Sequence, residues 1–398
     1  MFENVLGQEN VVAQLKQDIS GDSLPTSLLL YGDRFTGKQT AALELARVLL
    51  CEAGSAEWNC GCPSCGLNRR LQHTGMVLVG PHRFTDEIKA CADVYLRQQR
   101  KAGAYLFIRA LEKCVRRFDP NAFEGSDSKE KKVRDLISAI EEGLRIFDPD
   151  SPKPEEEVLR KEVEKTVEKT AALAEEYPKD NIPIAAVRNI SSWVHTTGAS
   201  NRKVIIIENC ERMVDSSRNA LLKILEEPPK GVYFICITTR KGLIIPTILS
   251  RLRQYHFPKR TAEEEQKVLG SIFGETTGEY PDLESFFLAW QQIKTEDLRM
   301  SAAQFIQGIE SGEPEYIPVL RQIADTVKDK NSAFYFFRFL TDLLQEKYRS
   351  GPDIPPEKTA RGEEWNGEIQ QCLSGINLYN QKPSSKIEEL FFTMRRVE

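Results

Sequence analysis

The feature that most constrains this chain is a short apolar run, LLLY at 28–31, that leads into GDRFTGKQT and then into AALELARVLL, whose apolar residues have helical spacing. Within it, Gly32 to Lys38 fits G-x-x-x-x-G-K. The glycines of such a loop let backbone N–H groups wrap phosphate oxygens, while the lysine meets the β and γ oxygens. Strand, glycine loop and helix in this order commit the N-terminal part to an α/β design. Two further runs agree: VIII at 204–207, followed by a helix through SSRNALLKILEE that Pro228 and Pro229 stop, and VYFICIT at 232–238. Continuous β-branched runs that alternate with helices indicate a parallel sheet covered on both faces. Residues 11–20 read as a helix ahead of the first strand.

The loop departs from a working phosphate site at two places. Gln39 follows Lys38 where a Ser or Thr hydroxyl would bind Mg²⁺, and Thr40 comes one position late. One step along a helix turns a side chain by about 100°, so Thr40 does not substitute without remodelling of the loop. The strand VIII then ends in Glu208-Asn209-Cys210-Glu211, in place of an acidic pair that supports the metal and polarises water. Asn209 is neutral and cannot serve as a general base. The candidate nucleotide-contacting residues are Gly32, Gly37, Lys38, Gln39, Thr40, Glu208 and Thr238. Together they imply lost hydrolysis and leave nucleotide binding open, since a loop of this kind can also keep its shape without nucleotide.

At 398 residues the chain calls for two or three domains. No apolar stretch is long enough for a bilayer, and MFENVLGQEN lacks the basic start and apolar run of a signal peptide, so a cytoplasmic location is expected. Nine cysteines in that compartment stay reduced, which turns clustered ones into metal candidates. A net charge of −5 argues against a protein that grips nucleic acid by itself, so any role on DNA is shared with partners.

Between about 81 and 182 the character changes to long charged helices, which reads as an insertion. In PEEEVLRKEVEKTVEKTAALA, Pro and three Glu suit a helix start, and Leu159, Val163, Val167 and Ala171 recur at four-residue spacing. This is a solvated helix packing one narrow stripe, or else a partner-binding arm. From Phe257 onward the segments are helical, including FYFFRFLTDLLQEKY and SSKIEELFFTMRRV, and FYFF reads as core or subunit interface.

Cys51, Cys60, Cys62 and Cys65 form C-x8-C-x-C-x2-C just after the helix that follows the glycine loop. Four thiolates close a tetrahedral zinc site, and the alternative is four unliganded thiols. Cys91, Cys114, Cys210, Cys236 and Cys372 lack such spacing and read as small core residues. His73, His82, His195 and His256 have no nucleophile or carboxylate at motif spacing, so no triad is expected.

The opening VLGQENVVAQL, the helix NALLKILEEPP and the stretch VYFICITTRKGLIIPTILSRLRQYHF, in this order, resemble bacterial clamp-loader ATPases of the AAA+ class. The resemblance covers about 1–80 and 183–257 well, the helical C-terminus loosely and 81–182 not at all. The family's Ser-Arg-Cys element is matched at Ser250-Arg251-Leu252, and its zinc cysteines are spaced one residue wider than here. Degenerate nucleotide motifs beside an intact Ser-Arg are similar to the delta-prime branch, and no Gly-Ser-x-Arg is found near 284–300. The resemblance implies a P-loop AAA+ domain at 1–257, with a zinc module at 51–65, followed by a small helical lid at 258–301 and a helical collar at 302–398. It further implies a hydrolysis-deficient subunit of the DNA polymerase III clamp loader, with gamma/tau-type and delta-type subunits, the sliding clamp and primed DNA as partners, in which Arg251, with Ser250, acts in trans on a neighbour's ATP. An active gamma/tau-type ATPase, with Glu208, Glu211 and Thr40 in the missing roles, and a structural scaffold are the alternatives.

Overall fold

The computed structural model describes residues 1–398 except 83, 99, 125–126, 179, 197–201, 277, 291–294, 312–315, 350–355, 379–380 and 397–398. The chain divides into two compact units, Met1–Phe287 and Leu288–Glu398, so the segment expected as a lid contributes residues to both.

In the first unit, α1 (Glu9–Ser20) precedes β1 (Ser27–Tyr31), and the glycine loop leads to α2 (Lys38–Leu49), α3 (Pro63–Arg69) and β2 (Met76–Val79). The insertion supplies α4 (Phe84–Gln98), α5 (Lys101–Val115), a 3₁₀ turn at Arg116–Phe118, α6 (Asp127–Phe147) and α7 (Glu156–Glu175). The sheet resumes through α8 (Ile184–Val194), β3 (Lys203–Glu208), α9 (Asp215–Glu226), β4 (Val232–Thr238), α10 (Pro246–Leu249) and β5 (Arg253–His256), after which come α11 (Ala262–Val268) and α12 (Leu283–Ala289), whose last two residues belong to the second unit.

The five strands are parallel and lie in the order β2, β3, β4, β1, β5. Alternate residues of each inner strand enter two different cores. Leu28, Leu30, Val204, Ile206, Ile235 and Ile237 pack with α1 and α2 on one face. Leu29, Ile205, Ile207, Phe234 and Cys236 pack with α8 and α9 on the other. Burial on both faces explains why these strands are continuous apolar runs.

Two strands, β2 and β5, were not among the runs identified from sequence. Only Tyr255 of β5 is buried, as suits an edge strand, and its hydroxyl donates to Asp18 at 2.6 Å. On α7 the buried stripe is Leu159, Val163, Thr166, Thr170 and Leu173. This corrects the expected four-residue repeat: with 3.6 residues per turn, the buried face passes from Val167 and Ala171 to the two threonines. Their hydroxyls donate to the carbonyls four residues back, so both enter the interior satisfied.

The second unit holds α13 (Thr295–Ser311), α14 (Tyr316–Thr326), α15 (Lys330–Arg349), α16 (Pro356–Leu378) and α17 (Pro383–Arg396). Tyr335, Phe336 and Phe337 of the FYFF stripe lie in its core with Phe305, Trp365 and Phe391. Among the described residues no helix is long and apolar enough to cross a membrane.

Candidate functional site

The parallel sheet brings the C-terminal ends of its strands to one edge, where open α/β sheets bind ligands. Tyr31, which ends β1, lies in register with Thr238, which ends β4, and Glu208 ends β3 next to them. The glycine loop rises from this edge. Gly32 has φ +149°, and a Cβ there would lie 2.1 Å from the Phe257 carbonyl oxygen. Gly37, with φ +89°, meets the guanidinium of Arg260, and a Cβ would come 2.7 Å from its Nη2. Arg260 also donates to the Leu6 carbonyl at 2.9 Å and to the Phe35 carbonyl, and it is 8% exposed. The loop is thereby pinned on the chain's own arginine.

Lys38 turns back into the same loop. Its ammonium donates to the Asp33 carbonyl and, at 3.0 Å, to the Thr36 hydroxyl. Burial brings Lys38 down to about 8, with Asp33 opposing the effect and Arg260 adding to it. Gln39, in the position of the metal-binding hydroxyl, donates its amide to Oε1 of Glu208. Thr40 is half-buried on α2. Thr238 donates to Oε2 of Glu211 at 2.7 Å and accepts from the Arg240 amide.

The other oxygen of Glu208 is taken by residues of the insertion. Arg117 Nη2 lies 2.6 Å from Glu208 Oε2, and His82 Nδ1 lies 3.0 Å from the same atom. The far ring nitrogen of His82 is 3.0 Å from Glu87, which in turn pairs with Lys113. Burial alone would push the Glu208 carboxyl up, but Arg117 and His82 beside it hold it well below the usual carboxylate range. His82 is raised in spite of its burial, because Glu208 and Glu87 flank it. No nucleophile or carboxylate is expected at motif spacing from this histidine; its two carboxylate partners, Glu87 and Glu208, lie 5 and 126 positions away and form no triad. Asn209 follows with φ +48° and donates to the Pro81 carbonyl at 2.6 Å. Arg117, Lys113, Glu87 and Arg260 carried no motif, and the only local signal was the paired arginines of CVRRF.

Ser250 and Arg251 sit apart from the loop, just past α10. Arg251 is one-third exposed; Nη1 donates to the Thr247 carbonyl and Nη2 to Glu226 at the end of α9, both at 2.7 Å. Ser250 Oγ donates to the same carbonyl at 3.0 Å. Leu252, in the family's Cys position, is buried.

The four cysteines converge beyond α2. Their sulfurs all lie within 4.8 Å of one another, and Cys51 Sγ is 3.9 Å from those of both Cys60 and Cys62. Four thiolates around zinc stand about 3.8 Å apart, given Zn–S bonds of about 2.3 Å, so the cluster fits such an ion. The shortened spacing is accommodated because Cys62 caps α3, accepting from the Cys65 amide, with Pro63 at the first helical position. Burial pushes the Cys62 thiol up, but the N–H groups of Cys65, Glu52 and Ala53 outweigh it and hold it at about 6. Arg47 Nη1, which also donates to the Glu57 carbonyl, lies 3.8 Å from Cys65 Sγ, while Nη2 donates to the Ala56 carbonyl and Nε to Glu44.

The family described as DNA polymerase III, delta subunit, matches residues 7–261, more than half of the chain. DNA polymerase III subunit tau of Salmonella typhimurium is 24% identical over 374 residues, which is 94% of this chain and 42% of that protein. The chain thus spans less than half of that relative's length. Subunit delta' of Haemophilus influenzae is 32% identical over 105 residues, 23% of this chain and 32% of that one. A solved gamma subunit-related protein from Thermotoga maritima aligns with a TM-score of 0.33 and 17% identity, covering 68% of this chain and 99% of that one. A parallel α/β sheet with its glycine loop at the strand ends, followed by a helical unit and joined to a match across most of that sheet, places the chain in the DNA polymerase III delta-subunit family, a bacterial clamp-loader family of the AAA+ class.

Proposed function

We propose that this chain is a delta-prime-like subunit of the DNA polymerase III clamp loader that does not hydrolyse ATP and donates Arg251, oriented by Ser250, to a neighbouring gamma/tau-type site. The observation that carries this reading is the contrast between the two regions. Both oxygens of Glu208 are engaged by Gln39, Arg117 and His82, whereas Arg251 is one-third exposed and donates to the Thr247 carbonyl and to the exposed carboxylate of Glu226. Phosphoryl transfer spreads negative charge over the γ-phosphate oxygens. A planar, always-charged guanidinium supplied in trans stabilises that charge, an effect worth about 10³–10⁵ in rate in other systems. On this reading the second unit belongs to a collar that joins neighbouring subunits, delta-type ones included. The assembly, rather than this acidic chain alone, engages the sliding clamp and primed DNA. The cysteine quartet holds a structural zinc.

The test is reconstitution with gamma/tau-type and delta-type subunits. Arg251→Ala assembles but lowers clamp- and DNA-stimulated ATP turnover, Arg251→Lys rescues poorly because it lacks the fork geometry, and Arg253→Ala behaves as wild type. Equal turnover for Arg251→Ala and Arg253→Ala overturns the reading. An active ATPase is the second reading, and one observation favours it: Glu211, held by Thr238, is a carboxylate at the loop's edge. Steady turnover by the isolated chain at about 1–10³ s⁻¹, abolished by Lys38→Ala, would establish it instead.

A further inference from the structure

A magnesium-bound nucleotide, which the fold implies, does not fit the residues present. The hydroxyl position is Gln39, whose amide is spent on Glu208, and Lys38 donates within its own loop. The remaining oxygen of Glu208 faces Arg117, which is 0% exposed although it is the most polar of side chains. Isolated charges are not buried without compensation. Arg117 Nε and Nη1 have no protein hydrogen-bond partner, so the charge of Glu208 is the main compensation its guanidinium has.

The surroundings hold this pairing in place. Gly80, at the end of β2, has φ +108° and lies so near the Glu208 carbonyl that a Cβ would come within 2.0 Å of its oxygen. Its amide donates to the Tyr177 hydroxyl at 3.2 Å, so the two ends of the insertion meet at the end of the sheet. The Phe84 ring lies 4.9 Å from that of His82, tilted by 47°, and 5.9 Å from the Arg117 guanidinium.

We propose that the 81–182 insertion carries a resident cation: Arg117 takes the place of a divalent metal at the end of β3 and closes Glu208 to metal. This gives the insertion a task inside its own subunit. It rests on reading the loop as the remnant of a nucleotide site. Its test uses neither turnover nor clamp loading, so either reading can fail while the other stands.

The probe is Mn²⁺ alone, added at millimolar concentration to the full chain in chelator-free buffer, with urea unfolding as the readout. The wild-type midpoint does not respond. Arg117→Met leaves Glu208 buried with the His82 ring and the Gln39 amide but without the guanidinium, so its midpoint falls and Mn²⁺ raises it again. The double variant Arg117→Met/Glu208→Gln regains stability without Mn²⁺ and does not respond, and Arg117→Lys stays near wild type because a point charge suffices. If Arg117→Met does not fold, the double variant decides: folding regained with Gln at 208 supports the proposal, and a double variant that stays unfolded overturns it. An Arg117→Met chain as stable as wild type and blind to Mn²⁺ overturns it too. So does a wild-type chain whose midpoint Mn²⁺ raises through Glu208, as judged by loss of the response in Glu208→Gln.

Discussion

Replacing Glu87 with Gln isolates one arm of the buried charge network. Burial would push this carboxyl up, but Lys113 and then His82 outweigh it and bring the group from 4.5 to about 2. A carboxyl held below its unfolded value contributes stability that is present above the unfolded value and lost as pH falls through the folded one. The gap between 4.5 and about 2 corresponds to about 3 kcal/mol at neutral pH. The side chain keeps 21% of its surface in water. Solvent screening therefore leaves about 2 kcal/mol, of which more than half is gone by pH 3. The assay is urea unfolding at pH 7 and pH 3, read by hydrogen exchange at the amides of Met76 to Val79, which report on this unit alone. Glu87→Gln is less stable at pH 7, because Lys113 is left 11% exposed without its partner. Between pH 7 and pH 3 it loses about 1 kcal/mol less than wild type, because its side chain does not titrate. If Glu87→Gln and wild type lose the same stability between the two pH values, the ion pair contributes nothing and the reasoning fails.

Gly80→Ala places a Cβ 2.0 Å from the Glu208 carbonyl oxygen at φ +108°; it should cost more than about 3 kcal/mol in urea unfolding, from backbone strain and overpacking together, while Gly242→Ala, with nothing within 4 Å, stays within about 0.5 kcal/mol of wild type. For the cysteine quartet, elemental analysis of protein purified without chelator should find one zinc per chain, and Cys62→Ser should lower that content and open Cys51, Cys60 and Cys65 to alkylation; free alkylation of all four in the native wild type would exclude the site.

The loop, β1, β3 and β4 were legible because each is a local pattern: glycines at fixed offsets, and apolar runs bounded by turn residues. MVLV at 76–79 is such a run, but four residues are too few to separate a strand from a piece of buried helix. RQYH carries almost no apolar signal, because an edge strand buries little. The site was half legible. Lys38, Gln39 and Glu208 declared themselves by motif, whereas Arg117 and His82 reach Glu208 across 91 and 126 positions. No spacing rule connects residues that only a long-range fold brings together. The cysteines lay between these cases: the residues could be named, but whether a one-residue deficit could be absorbed depended on Cys62 capping α3.

The pairing of β2 with β3 also shapes how the chain is made. The end of β2 at Val79 and the start of its parallel neighbour β3 at Lys203 are separated by about 120 residues of sequence that include the whole insertion. Closing a loop of that length costs about 1.5 kcal/mol more in chain entropy than closing one of about 20 residues. A ribosome adding about 5–20 residues per second leaves β2 without its partner for about 6–25 s, whereas helices form in microseconds. The helices α4 to α7 therefore exist well before β3 emerges. Met76 and Leu78 of β2 already have α1 and α2 to pack against, and Ala122, between α5 and α6, shares a cluster with Val77 and Val79, so the insertion supplies cover for the other face of a strand that would otherwise wait, unpaired, in solution.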